Sequence, residues 1–94
     1  MIKKKYQFAV KSILGKYLPD NAKIFVFGSS AREKDFADID IGVKNVRISS
    51  KTMLQLNEDL HESLIPYKVD VVDFSKVGKK FEEKVFENKV IWLT

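Results

Sequence analysis

With 94 residues, 45% of them hydrophobic and 32% charged, the chain is long enough for one two-layer core and too short for a second interior, and its balance excludes a disordered or fibrous polymer. Seventeen Lys and Arg against thirteen Asp and Glu leave a net charge of +4, a mild excess that suits anionic partners such as nucleotides without amounting to the basic stripe of a nucleic-acid-binding surface. There is no cysteine and one histidine, His61, so disulfides, thiolate catalysis and cysteine or histidine zinc sites are excluded and any metal must be held by oxygen.

Residues 4–18 repeat apolar side chains (Phe8, Val10, Ile13, Leu14, Tyr17, Leu18) at three- and four-residue spacing between lysines, which predicts a helix stopped by Pro19-Asp20-Asn21. The start, Met1-Ile2-Lys3-Lys4-Lys5, leads into this amphipathic stretch rather than into an apolar signal core, so a cytoplasmic protein with no membrane span is expected. Residues 23–27 form a short β-branched and aromatic run that reads as a buried strand, ended by Gly28-Ser29-Ser30. Residues 37–43 alternate strictly: Ile39, Ile41 and Val43 belong to one face of a strand, Asp38, Asp40 and Gly42 to the other.

Ser49 or Ser50 caps a predicted helix running to about residue 65, with Met53, Leu56, Leu60 and Leu64 inward and Pro66 as its stop. Residues 68–74 read as a third strand, on which Asp70 and Asp73 belong to opposite faces. Ser75 is the expected cap of a last helix to about residue 87, with Val77, Phe81, Val85 and Phe86 inward, and residues 90–93 pack as a tail or short strand. His61 lies off the apolar stripe of its helix. The order predicts one α/β (α+β) domain over residues 1–94: a small mixed sheet of three or four strands with helices covering one face.

Three features of this layout converge. A strand ends in Gly28-Ser29, where glycine permits a sharp turn and close approach of a phosphate to backbone amides. Asp38 and Asp40, two apart on a strand, point the same way about 7 Å apart, a spacing that suits hard cations. Asp70 belongs to the same open face of a neighbouring strand. Singly, each acid is what a solvated strand face carries; three together repel unless a cation holds them.

Phe27-Gly28-Ser29-Ser30-Ala31-Arg32, Asp38-Ile39-Asp40-Ile41 and Val69-Asp70-Val71 together resemble the signature of the polymerase-beta-like nucleotidyltransferase superfamily, and most closely its minimal members, antitoxin partners of helical HEPN-domain proteins. Those members carry glycine where Glu33 stands here and have a longer interval before D-x-D. The resemblance implies a palm-like fold and metal-dependent transfer of a nucleoside monophosphate, AMP from ATP, to a hydroxyl of a partner protein. It makes Asp38, Asp40 and Asp70 the catalytic residues and the ligands of two Mg²⁺ ions, with Mn²⁺ as a substitute. The first two acids would bridge both ions, and Asp70 would hold the one that activates the acceptor. Gly28, Ser29 and Ser30 would cradle the triphosphate, with Arg32 as a further contact.

Because no second domain follows to grip an acceptor, a helical HEPN-type protein is the expected partner. The same lack argues against nucleic acid as the direct substrate and leaves room for a homodimer. The competing reading is a non-catalytic nucleotide-binding or masking subunit of a two-component complex.

Overall fold

The structure, a computed structural model, describes residues 1–94. In chain order it contains α1 (Lys4–Gly15), β1 (Lys23–Phe27), α2 (Ser29–Arg32), β2 (Asp38–Lys44), α3 (Ser50–Glu62), β3 (Lys68–Asp73), α4 (Lys79–Phe86) and β4 (Ile91–Trp92). The strands form one mixed sheet in the order β3-β2-β1-β4. β1 runs antiparallel to β2 and β4, whereas β2 and β3 are parallel, their connection crossing over through α3.

Alternation along the strands splits the interior between two faces. Ile24 and Val26 of β1 and Ile39, Ile41 and Val43 of β2 pack against Val10 and Leu14 of α1 and Leu56 and Leu60 of α3. Each such side chain contributes roughly 1.5–3 kcal/mol by leaving water. On the opposite face Phe25, Phe27 and Phe74 gather Val77, Val85 and Phe86, so α4 covers the far end of that face. The Phe25 ring lies directly over Gly42, where a Cβ would come within 2.2 Å of it. The near end of this second face carries Asp38, Asp40 and Asp70 and stays open.

Several boundaries differ from the periodicity. α1 ends at Gly15, and Phe8 is 72% exposed, because it lies about 200° around the helix from Val10 and so belongs to the lysine face. Ser49 caps α3, its Oγ accepting from the Thr52 amide at 3.1 Å. The helix closes at Glu62, where the Ser63 hydroxyl donates to the Leu60 carbonyl. Leu64 therefore falls outside the inward stripe and is 98% exposed. The last helix starts at Lys79 rather than after Ser75, because the Asp73 carboxylate captures both the amide and the hydroxyl of Ser75 in a turn. Residues 91–92 form the fourth strand, with Trp92 stacked on Phe86. No helix is long and apolar enough to cross a membrane.

Candidate active site

The register of the sheet brings the acids together. Asp40 pairs with Phe27 on β1 and with Asp70 on β3, and Asp38 lies one pleat earlier on the same face. Asp40 is thus central, partly buried, with a like charge directly across the parallel ladder. Burial, then Asp70, then Asp38 raise its carboxyl above the ordinary aspartate range.

Gly28 has φ +73° and ψ −157°, a conformation that side chains disfavour, and a Cβ there would come within 2.6 Å of Asp40 Oδ2. The turn and the central carboxylate therefore require the same absence of a side chain. Residues 29–32 close a single helical turn, the Ala31 amide donating to Gly28 O at 3.1 Å and the Glu33 amide to Ser29 O at 2.8 Å, with no side-chain cap at its start.

The four residues of this loop occupy different environments. Ser29 is partly exposed at the turn. Ser30 is fully buried and its hydroxyl donates to the Phe27 carbonyl at 3.3 Å. The exposed Arg32 donates from Nε to the Gly28 carbonyl, so its guanidinium lies beside the turn, in a cleft it shares with Phe81, Lys84 and Asn88. Glu33, which stands in place of a glycine, has φ −102° and ψ 150°; this extended conformation makes no demand for glycine. The amino terminus buttresses the loop, the Ile2 amide donating to Ser30 O at 2.8 Å and the Met1 amino group to Glu33 O.

Two charged residues are sorted by the strand pleat. Lys68, two positions before Asp70 and paired with Asp38, carries its ammonium to 3.8 Å from Asp70 Oδ1. Period-two spacing from Asp70 is the sequence signal that puts Lys68 on the same face, but a single lysine at a strand start names no chemistry by itself. Asp73 turns to the other face and is nearly buried. Burial would raise its carboxyl, but hydrogen bonds from Ser75 and the Ile48 amide, with Lys76 beside it, hold it below the usual range. It is a structural clamp.

The three acids offer only carboxylate oxygens, the donor chemistry of hard divalent cations, and a cation would relieve the repulsion on Asp40. No three ligating side chains are drawn into a ready-made cage, and Lys68 sets a positive charge beside Asp70. The donor set fits Mg²⁺ or Mn²⁺ in kind. His61 is exposed on α3 and lines a cleft that also reaches Asp70.

No curated protein matches the sequence. Solved toxin–antitoxin complexes contain a chain of the same fold. One, the MntA–HpeT complex with two aspartate-to-glutamate changes, aligns with a TM-score of 0.76 and 20% identity over 94% of this chain and 71% of that one. Another, a tri-AMPylated Shewanella oneidensis HEPN toxin with its MNT antitoxin, gives 0.76 and 21% over 99% and 72%. A third, a toxin–antitoxin with AMP-PNP, gives 0.77 and 22% over 94% and 72%. At such identities the likeness speaks for the fold alone. The sequence itself goes further: residues 9–94, with the Gly-Ser turn and all three acids among them, match the family described as polymerase beta, nucleotidyltransferase, and the chain belongs to that family.

Proposed function

We propose that the chain is an antitoxin that transfers AMP from ATP to a hydroxyl of a HEPN-type partner protein. The observation that carries this reading is the pairing of Asp40 with Asp70 beside the Gly28 turn, an acid cluster at the open end of the sheet. The structural relatives lend it support, since one was solved with a tri-AMPylated HEPN toxin and another with AMP-PNP.

In this reading the turn at Gly28 and Ser29, together with the Ser30 amide, binds the phosphates, and Arg32 adds charge from the α4 side. Asp38, Asp40 and Asp70 would hold Mg²⁺ or Mn²⁺, which when bound neutralises the triphosphate and lowers the pKa of the acceptor hydroxyl. The acceptor oxygen attacks the α-phosphorus, the bond from that phosphorus to the β-bridging oxygen breaks, and pyrophosphate leaves. The hydroxyl proton passes to solvent on the side of Asp70, which orients the acceptor. A cytoplasmic site of action follows from the use of ATP.

One observation favours a second reading, a nucleotide-binding subunit that merely masks its partner: Lys68 sets its ammonium 3.8 Å from Asp70 Oδ1. Labelled ATP, Mg²⁺ and the HEPN-domain protein encoded nearest to this chain separate the two. Asp70→Asn is nearly isosteric and partly exposed. It should keep ATP affinity within about tenfold and still bind the partner, yet lose label transfer by orders of magnitude. If Asp70→Asn silences the partner as wild type does, the masking reading replaces transfer.

A further inference from the structure

β3 is an outer strand of the sheet, and its ladder fixes which of its backbone groups are unused. The Phe74 amide donates to Val43 O at 2.9 Å, and Val43 pairs with Asp73. In a parallel ladder that alternation turns the N–H and C=O of Lys68, Asp70 and Val72 toward β2 and those of Val69 and Val71 outward. Two clefts of about 570 and 760 Å³ lie along this edge between β3 and α3 and share Asn57. Met53 and Leu54 line the first, and the second ends at His61 and Asp70.

We propose that this edge is the docking strand for the acceptor: an extended segment of the protein substrate adds to the sheet against Val69 and Val71 and so delivers its hydroxyl side chain to Asp70. The inference rests on the transfer reading and names how its acceptor is held. Outward N–H and C=O groups recognise extended polypeptide backbone, and an added strand lies about 4.8 Å away. By the pleat, the residue opposite Asp70 shares Asp70's face, where the acids are. Its two neighbours point to the α3 side, where the Met53 and Leu54 cleft favours apolar side chains. A second copy of this chain is a poor occupant. Antiparallel pairing through Val69 and Val71 of both copies would set Asp70 against Asp70, beside two further acids on each side.

The test uses the full chain and the HEPN-domain protein encoded nearest to it. Val71→Pro removes an outward amide while sparing the β2 ladder, a substitution that edge strands tolerate. It should raise KM for the protein acceptor by about tenfold or more, with kcat and the ATP dissociation constant unchanged. Because proline could also disturb the strand, hydrogen exchange on the wild-type complex supplies a second readout: the Val69 and Val71 amides should slow at least about tenfold on complex formation. An unchanged KM in a folded Val71→Pro variant, or unprotected edge amides in the complex, overturns the docking strand and leaves the transfer reading standing. Absence of transfer by wild type overturns both. Protection of the same amides in the chain alone at rising concentration assigns the edge to a second copy and also overturns the proposal.

Discussion

Gly28 is constrained twice, by a backbone at φ +73° and by the Asp40 carboxylate that fills the space a Cβ would need. The two constraints can be separated. Gly28→Ala should destabilise the fold by about 1–3 kcal/mol, through the disfavoured backbone and the displaced carboxylate together. In an Asp40→Ala background the clash is gone and only the backbone part should remain, so thermal melts of the four-protein cycle should show a smaller cost for Gly28→Ala there. The neighbouring serines divide differently. Ser30→Ala removes a buried hydroxyl that donates to Phe27, so it should cost about 0.5–1.5 kcal/mol of stability while leaving ATP affinity unchanged. Ser29→Ala, at the partly exposed position, should spare stability and weaken ATP binding severalfold. Titration calorimetry with ATP and Mg²⁺ reads both, and a Ser30 effect on affinity without one for Ser29 would reverse the assignment.

At the scale of elements, two joints hold the strands to what covers them. Phe25 seats its ring on Gly42 across the β1–β2 pair, so Gly42→Ala overpacks the aromatic face and should cost about 1–3 kcal/mol, part of which Phe25→Leu should recover. Asp73 ties the end of β3 to the Ile48 amide and to Ser75; Asp73→Ala strands a buried donor, for about 1–3 kcal/mol, measurable by urea unfolding. These joints also mark what the amino-acid pattern conveys. The alternation in residues 37–43 conveys both faces of β2 with Asp38 and Asp40, and the same period in residues 68–73 conveys the face of Asp70, because a period of two is imposed by the pleat itself. The Ser49 cap was equally legible, since its chemistry is local. The Ser75 boundary was not: a residue that caps helices was taken by an acid two positions earlier, a local competitor that propensity ranks no lower. Leu64 reads as core because apolar spacing does not mark where a helix ends, and Phe8 because it falls within the same apolar run as Val10, although its spacing to Val10 puts it about 200° away, on the lysine face. The cover of the acid-bearing face by α4 depends on Phe25, Phe27 and Phe74 meeting across distant strands, which no single window contains. Lys68, visible as a same-face residue, became part of the site only when parallel pairing put β3 beside β2.

For the molecule as a whole, these acids pull stability in opposite directions with pH. Asp73 and Asp59 have folded-state carboxyls below the ordinary range. Asp59 is held there by the Tyr17 hydroxyl and by Lys16. Their contribution is present above the unfolded pKa, about 3.9, and is lost as pH falls through the lower folded value. Asp40 is the reverse case: its carboxyl is raised, so the charged form costs stability at neutral pH, and that cost disappears as pH falls through the raised value toward about 3.9. In metal-free buffer Asp40→Asn should therefore be more stable than wild type at pH 7, by roughly 0.2–1 kcal/mol for a like-charged pair directly across a ladder. The advantage should shrink steadily on acidification and vanish near pH 4. A divalent cation bound only by the folded acids must act in the opposite sense, adding RT ln(1 + [M]/Kd) to wild type. Millimolar Mg²⁺ or Mn²⁺ should then raise the wild-type melting temperature at pH 7, do so less and less as pH falls through the raised Asp40 value, and leave Asp38→Asn/Asp40→Asn unmoved throughout. The wild-type and Asp40→Asn curves should cross on addition of metal. If they stay parallel with and without the cation, the three carboxylates do not act together on a metal, and the cluster is a solvated face whose repulsion the fold simply tolerates.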